Sequence, residues 1–179
     1  LKQIVFLGLT QMSAYDSTGS SLDSTTKASA LIEVVRKLND AEALRNAANP
    51  GVAPKNNISM TADFDTRTIA ITATMPFTRT FGTEGQSILT YNDYLGGSYS
   101  AFTVGAGDAK APLLQGALVQ IAQIVSGAEL AVTPDTDRPN NVQITDDYEL
   151  SSTVISINMP FTPSFGAGGE ITITALDYV

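Results

Sequence analysis

The chain has 179 residues, 43% hydrophobic and 16% charged, and its 10 Lys/Arg against 18 Asp/Glu leave a formal net charge of −8. That length buries a full core, as one domain or two small ones. It contains no Cys, His or Trp, which excludes disulfides, thiolate and imidazole chemistry, the usual zinc sites and His-dependent triads.

The charge is unevenly placed. From Leu1 to Leu95 there are 8 Lys/Arg and 9 Asp/Glu, a net of −1, and from Gly96 to Val179 there are 2 and 9, a net of −7. So acidic a half repels a phosphate backbone, so nucleic acid is not an expected partner, nor is an anionic membrane surface. No apolar run is long enough to cross a bilayer. Lys2 followed by Ile4-Val5-Phe6-Leu7 makes a poor signal peptide. An opening at Leu1 rather than Met is consistent with processing or trimming.

In chain order, Gln3 to Leu9 reads as a short buried strand. Ser13 to Thr26 is rich in Ser, Thr and Gly and reads as an exposed loop, with Asp23, Ser24 or Thr25 able to cap a helix. That helix is predicted from Lys27 to Ala47. Leu31, Val34, Val35, Leu38, Ala41 and Leu44 recur at three and four, and Asn49-Pro50-Gly51 ends it. Ile58, Met60, Ala62 and Phe64 alternate with polar residues, as do Ile69, Ile71, Ala73 and Met75, so a hairpin turns at Asp65-Thr66-Arg67. Pro76 is expected at a strand end or bulge. Phe81 to Gly85 makes the next connection, and Gln86 to Leu95 a further strand.

Tyr99 to Val104 then reads as a strand and Gly105 to Lys110 as a short connection. A second helix opens near Pro112 and runs to about Ser126, with Gly127 as its stop. No charged residue lies between Ala111 and Ala128. A helix apolar most of the way round is buried on more than one side, here by the sheet together with the first helix or another subunit. At about 25 cal/mol per Å² of apolar surface, leaving the second face in water would be costly. Val142 to Leu150 and Thr153 to Met159 form a second hairpin, and Glu170 to Val179 the last strand.

The chain repeats itself. Met75-Pro76-Phe77-Thr78-Arg79-Thr80-Phe81-Gly82-Thr83-Glu84-Gly85 returns 84 residues later as Met159-Pro160-Phe161-Thr162-Pro163-Ser164-Phe165-Gly166-Ala167-Gly168-Gly169, and Asp93-Tyr94 as Asp177-Tyr178. A period this long points to a duplicated domain-sized unit, not a short solenoid repeat. Turn glycines, a strand-ending proline and packed phenylalanines give the motif a sufficient structural account. A duplicated contact surface is its functional counterpart. The glycines make no phosphate loop, because they are succeeded by neither a helix nor a Lys-Ser/Thr pair.

Asp135 and Asp137 near Asn140-Asn141, and Asp146-Asp147 with Glu149, offer hard oxygen ligands, but the EF-hand pattern is absent and a solvated charged strand accounts for the second group. Carboxylates, Lys, Ser, Thr and Tyr remain for catalysis, with no nucleophile-elbow or paired-carboxylate motif to direct them. No catalytic, cofactor-binding or metal-ligating residue is assigned, and no cofactor is expected.

The expected fold is α+β: a tandem duplication of a strand-helix-three-strand unit with pseudo-twofold symmetry. Antiparallel-rich sheets carry two helices packed on one side. Residues 1–95 form the first unit and 96–179 the second, together one pseudo-dimeric body. The expected function is a non-enzymatic structural or assembly subunit working through protein partners or self-assembly. Virion proteins that decorate a capsid, or serve as head or tail accessories, are examples. The alternative is a small-molecule or cation-binding domain with its site between the repeats. The expected interface residues are Leu114, Leu118, Ile121 and Val125 on the second helix, with Phe77, Phe81, Phe161 and Phe165 in the repeated motif.

Overall fold

The structure is a computed structural model that describes residues 22–24, 27–91, 102–104, 107–109, 114–167 and 171–176. It is α+β. The strands are β1 (Leu22–Ser24), β2 (Ile58–Asp63), β3 (Thr68–Phe81), β4 (Ser87–Tyr91), β5 (Phe102–Val104), β6 (Gly107–Ala109), β7 (Val142–Asp147), β8 (Ser152–Phe165) and β9 (Ile171–Ala175). Helices α1 (Lys27–Ala48) and α2 (Leu114–Leu130) accompany them.

Among the described residues, the larger sheet has six strands. Its core order is β2-β3-β8-β7, all antiparallel, with β4 added to β3 and β9 to β8. The two long strands form its centre, paired from Thr68↔Pro160 to Pro76↔Ser152 with Thr72↔Ser156 in the middle. The bounds of β7, β8 and β9 lie 84 residues beyond those of β2, β3 and β4 (142 − 58 = 152 − 68 = 171 − 87 = 84). A smaller sheet joins β1 to β5 in parallel and β5 to β6 antiparallel.

Period-2 patterning turns one face of the large sheet inward. Ile69, Ile71, Ala73, Met75 and Phe77 of β3 are buried, as are Thr153, Ile155, Ile157, Met159 and Phe161 of β8. The intervening positions carry Thr, Ser, Asn and Pro, together with Ala70 and Val154. The helices pack on this inward face and against each other, α1 touching β1 and β2 and α2 touching β6 and β7. Burial runs round α1 as far as Leu38 and round much of α2, whereas Leu44 farther along α1 is 72% exposed. Ala30, Leu31, Ile32, Val34, Val35 and Leu38 of α1 are fully buried, and so are Ala117, Leu118, Ile121, Ala122 and Val125 of α2.

Several expectations change. The predicted loop from Ser13 to Thr26 holds the short strand β1 at Leu22–Ser24, paired with Phe102–Val104. The predicted connection after Val104 holds β6. Helix α2 runs through the exposed Gly127 to Leu130. An interior glycine costs a helix about 1 kcal/mol relative to alanine, and the extra turn carries Glu129 into the core, where it bonds the backbone ahead of β7. The expected strand at Gln3–Leu9, the Asp93-Tyr94 and Asp177-Tyr178 pairs, and Pro112 lie outside the described residues.

Pro76 is neither a strand end nor a bulge. It sits inside β3, and Pro160 inside β8. The Thr74 amide donates to the Asn57 carbonyl at 2.8 Å ahead of β2, and pairing with β4 begins at Phe77↔Tyr91. Pro76 therefore falls in the gap where one neighbour ends and the next begins, so its missing N–H leaves no acceptor unserved. Pro160 does the same between Asn158, which donates to Asn141 at 2.8 Å, and β9.

Candidate functional site

Each long strand outruns the central pairing. Among the described residues, β3 continues beyond Pro76 with β4 alone, and β8 continues beyond Pro160 with β9 alone. Because β3 and β8 are antiparallel, these two-stranded arms leave the sheet at opposite ends. Each arm is five paired residues long, Phe77–Phe81 and Phe161–Phe165, or about 17 Å at a strand's rise of about 3.4 Å per residue.

The foot of each arm is anchored. Arg67 (φ 55°) and Ser151 (φ 51°) close the turns before β3 and β8 in the left-handed region. Their carbonyls accept from Phe161 and Phe77, both at 2.9 Å. The turns themselves are held by carboxylates. Asp63 Oδ1 accepts from the Asp65 and Thr66 amides at 2.9 and 3.1 Å, and Asp147 Oδ1 from the Glu149 and Leu150 amides at 2.9 Å each. The bond from the Thr66 amide, foremost, holds the Asp63 carboxyl below its ordinary value.

The four motif phenylalanines divide by place. Phe77 and Phe161, at the feet, are 3% and 1% exposed, whereas Phe81 and Phe165, at the tips, are 68% and 72% exposed. Phe161 meets Phe64 edge to face at 5.5 Å, and Phe77 meets Tyr148 at 6.1 Å and Tyr91 at 6.3 Å in the same way. On α2, Leu118, Ile121 and Val125 are buried within this chain, against α1 and the sheet. Leu114 opens the helix, but its side chain is outside the described set. Of the expected interface residues whose side chains are described, only Phe81 and Phe165 therefore present a ring to the exterior.

The β3 arm carries the denser chemistry. The Arg79 guanidinium stands 4.6 Å from the Phe81 ring centroid and 4.3 Å from that of Tyr148, and donates to Ser87 Oγ through Nε at 3.0 Å and Nη2 at 2.8 Å. Tyr148 is itself 48% exposed, and Ile88, opposite Thr80 in the ladder, is 49% exposed. At the foot, Thr153 Oγ1 donates to Asp146 Oδ1 at 2.6 Å. That uses the only hydroxyl hydrogen of Thr153, so the Tyr91 hydroxyl, 3.0 Å away, is the donor in the other bond. Burial pushes the Tyr91 phenol up from its ordinary value.

Moved by 84 residues, these positions read differently. Arg79 corresponds to Pro163, Tyr91 to Ala175, Tyr148 to Phe64, Thr153 to Ile69 and Asp146 to Ala62. The β3 arm has a polar chain at its foot and a cation farther along, where the corresponding positions of the β8 arm are apolar. Spacing alone did not reveal the Arg79–Tyr148 stack or the Tyr91–Thr153–Asp146 chain, because each joins residues from separate hairpins.

The acidic groups are engaged locally. Asp146 and Asp147 take the bonds above, and Asp137 accepts from Thr136 at 3.3 Å in a short 3-10 turn. Among the described residues, no group of three or more carboxylates is gathered to hold a metal ion, and no helix is long and apolar enough to cross a membrane. Comparisons of the chain with protein-family models, with curated proteins and with solved structures found no match.

Proposed function

We propose that this chain is a non-enzymatic structural or assembly subunit that engages protein partners through its two strand arms, and that its body is an internal duplication with pseudo-twofold symmetry. One observation carries the functional reading. Phe81 and Phe165 stand 68% and 72% exposed at the tips of arms that leave the sheet at opposite ends. Keeping a large apolar side chain in water forgoes about 1.5–3 kcal/mol of burial, and burial against a partner recovers it.

The duplication rests on the repeated motif, the common spacing of 84 between strand bounds, and a central ladder whose midpoint Thr72↔Ser156 joins positions 84 apart. A local twofold axis through that midpoint exchanges β3 with β8. Such a body offers a partner two related contacts at opposite ends, which suits a subunit docked on a lattice. A capsid-decorating, head or tail accessory protein of a virion is the setting in which we place it.

The test is recovery from the natural source. The chain should co-purify with a large, discrete particle, and Phe81→Ser with Phe165→Ser should abolish that association while thermal melting stays unchanged. Recovery as a free monomer, with no particle, refutes the reading.

A further inference from the structure

We infer that the open edge of the β3 arm pairs with the same edge of a second copy, closing a dimer, and that the β8 arm is built not to pair. The inference rests on the assembly reading and names the partner for one of its two arms.

Backbone direction decides which groups face outward. In β3 the Thr74 amide points to Asn57 and the Gly82 amide to Gln86, so even-numbered positions serve the β2 and β4 side. The Phe77 amide points the other way, to Ser151. Arg79 and Phe81 therefore aim their N–H and C=O groups to the side that β8 has left, and both residues are exposed. Among the described residues no strand pairs along this side, which makes it an open strand edge, a template for another strand.

The β8 arm presents the corresponding edge with one change. Leu176 donates to the Pro160 carbonyl on the β9 side and Phe161 donates to Arg67 on the other, so positions 163 and 165 face outward. Position 163 is proline, which has no N–H. An outward proline is a device that stops strand addition at an edge. A head-to-tail contact between a β3 arm and a β8 arm would propagate without closing, and Pro163 removes a donor from it.

A β3–β3 contact closes on itself. In the antiparallel register centred on Thr80, Arg79 of each copy faces Phe81 of the other and the two Thr80 residues face each other. Arg79 and Phe81 then exchange N–H···O=C bonds twice, four in all. Cross-strand Thr–Thr pairs are favourable, as is a guanidinium beside an aromatic ring, and in each chain Arg79 already lies over Phe81. The register centred on Arg79 sets two guanidinium groups opposite one another, which is unfavourable. The result is a four-stranded sheet in the order β4-β3-β3-β4.

The sequence has no cysteine, so one introduced thiol reports the register. In the proposed pairing the two Thr80 residues form a non-hydrogen-bonded pair, with Cα atoms about 4.5 Å apart, within disulfide reach. Thr80→Cys should be cross-linked to a covalent dimer by mild oxidation. Ser164→Cys, the same position in the β8 arm, should not. By light scattering the unmodified chain should have twice the 18.8 kDa mass of one copy. Arg79→Pro, which copies the residue found 84 positions later, should be a folded monomer. Arg79→Ala keeps the N–H and should still dimerise. A monomeric parent chain, an uncrosslinked Thr80→Cys, or an Arg79→Pro that dimerises like its parent overturns the pairing. A chain that joins a particle yet gives no Thr80→Cys cross-link keeps the assembly reading and loses this contact. A cross-linked dimer that joins no particle keeps the contact and loses the reading.

Discussion

Glu42→Gln and Glu129→Gln test the least expected element of the core, a buried carboxylate that ties each helix to the strand after it. Glu42 is 4% exposed, and its two oxygens accept from the Asn57 and Ile58 amides at 3.1 Å. Glu129 is 2% exposed and accepts from Asn141 at 3.0 Å and Val142 at 3.2 Å. Glutamine keeps the shape but offers one acceptor oxygen, and turns an NH2 toward an N–H. A hydrogen bond to a charged group contributes about 1.5–3 kcal/mol, and a buried donor left without a partner costs about 1–3 kcal/mol. These overlap, so each substitution should destabilise by about 2–4 kcal/mol, a large share of a total of about 5–15 kcal/mol. At about 2–4 °C per kcal/mol for a chain of this size, melting should fall by about 4–16 °C. β2 and β7 lie at opposite ends of the order β2-β3-β8-β7, so the double variant should show the sum. Urea unfolding followed by far-UV circular dichroism measures the change, with the exposed Glu149→Gln as control. If both variants unfold within about 0.5 kcal/mol of the parent, the range of an ordinary surface change, the strand-tying role is refuted.

Phe161→Ala should cost about 3–5 kcal/mol, because it empties a buried site against Phe64, while Phe165→Ala in the same motif should change stability by less than about 0.5 kcal/mol. Equal effects in denaturant titrations would contradict the foot-and-tip division. Tyr91 has a phenol raised above its ordinary value in the folded state, so folding favours its neutral form. That stabilisation is fully present below the unfolded value of about 10 and is lost as pH rises through the folded one. Tyr91→Phe should flatten the alkaline decline in urea midpoint. A phenolate titration of Tyr91 at or below the ordinary value would contradict this.

Local pattern was legible where one element suffices to read it. The three-and-four spacing of Leu31, Val34, Val35 and Leu38 located α1, alternation located the β2–β3 hairpin, and the repeated order of the second half located the β7–β8 hairpin. What escaped depends on neighbours distant in the chain. Pro76 reads as a strand end until β2 and β4 are seen to share one edge with a gap between them. Glu42 and Glu129 are 87 residues apart, not 84, so the repeat does not align them. The segment from Glu129 to Asn141 is three residues shorter than that from Glu42 to Asn57, and α2 extends through Gly127 to meet it. In the motif, all four phenylalanines look equivalent in sequence. Only the end of the β3–β8 ladder separates the two that are buried from the two that are not.

The antiparallel centre also decides how the protein bears a load. Each arm is the uninterrupted end of a 14-residue strand whose other part lies in the central ladder. Tension between the two tips slides β3 along β8, so the nine pairs from Thr68↔Pro160 to Pro76↔Ser152 are stressed together and not peeled one after another. Failure in this shear geometry requires many bonds to break at once. A subunit gripped by both arms transmits force across its stiffest element, with the helices carried on one face outside the line of pull.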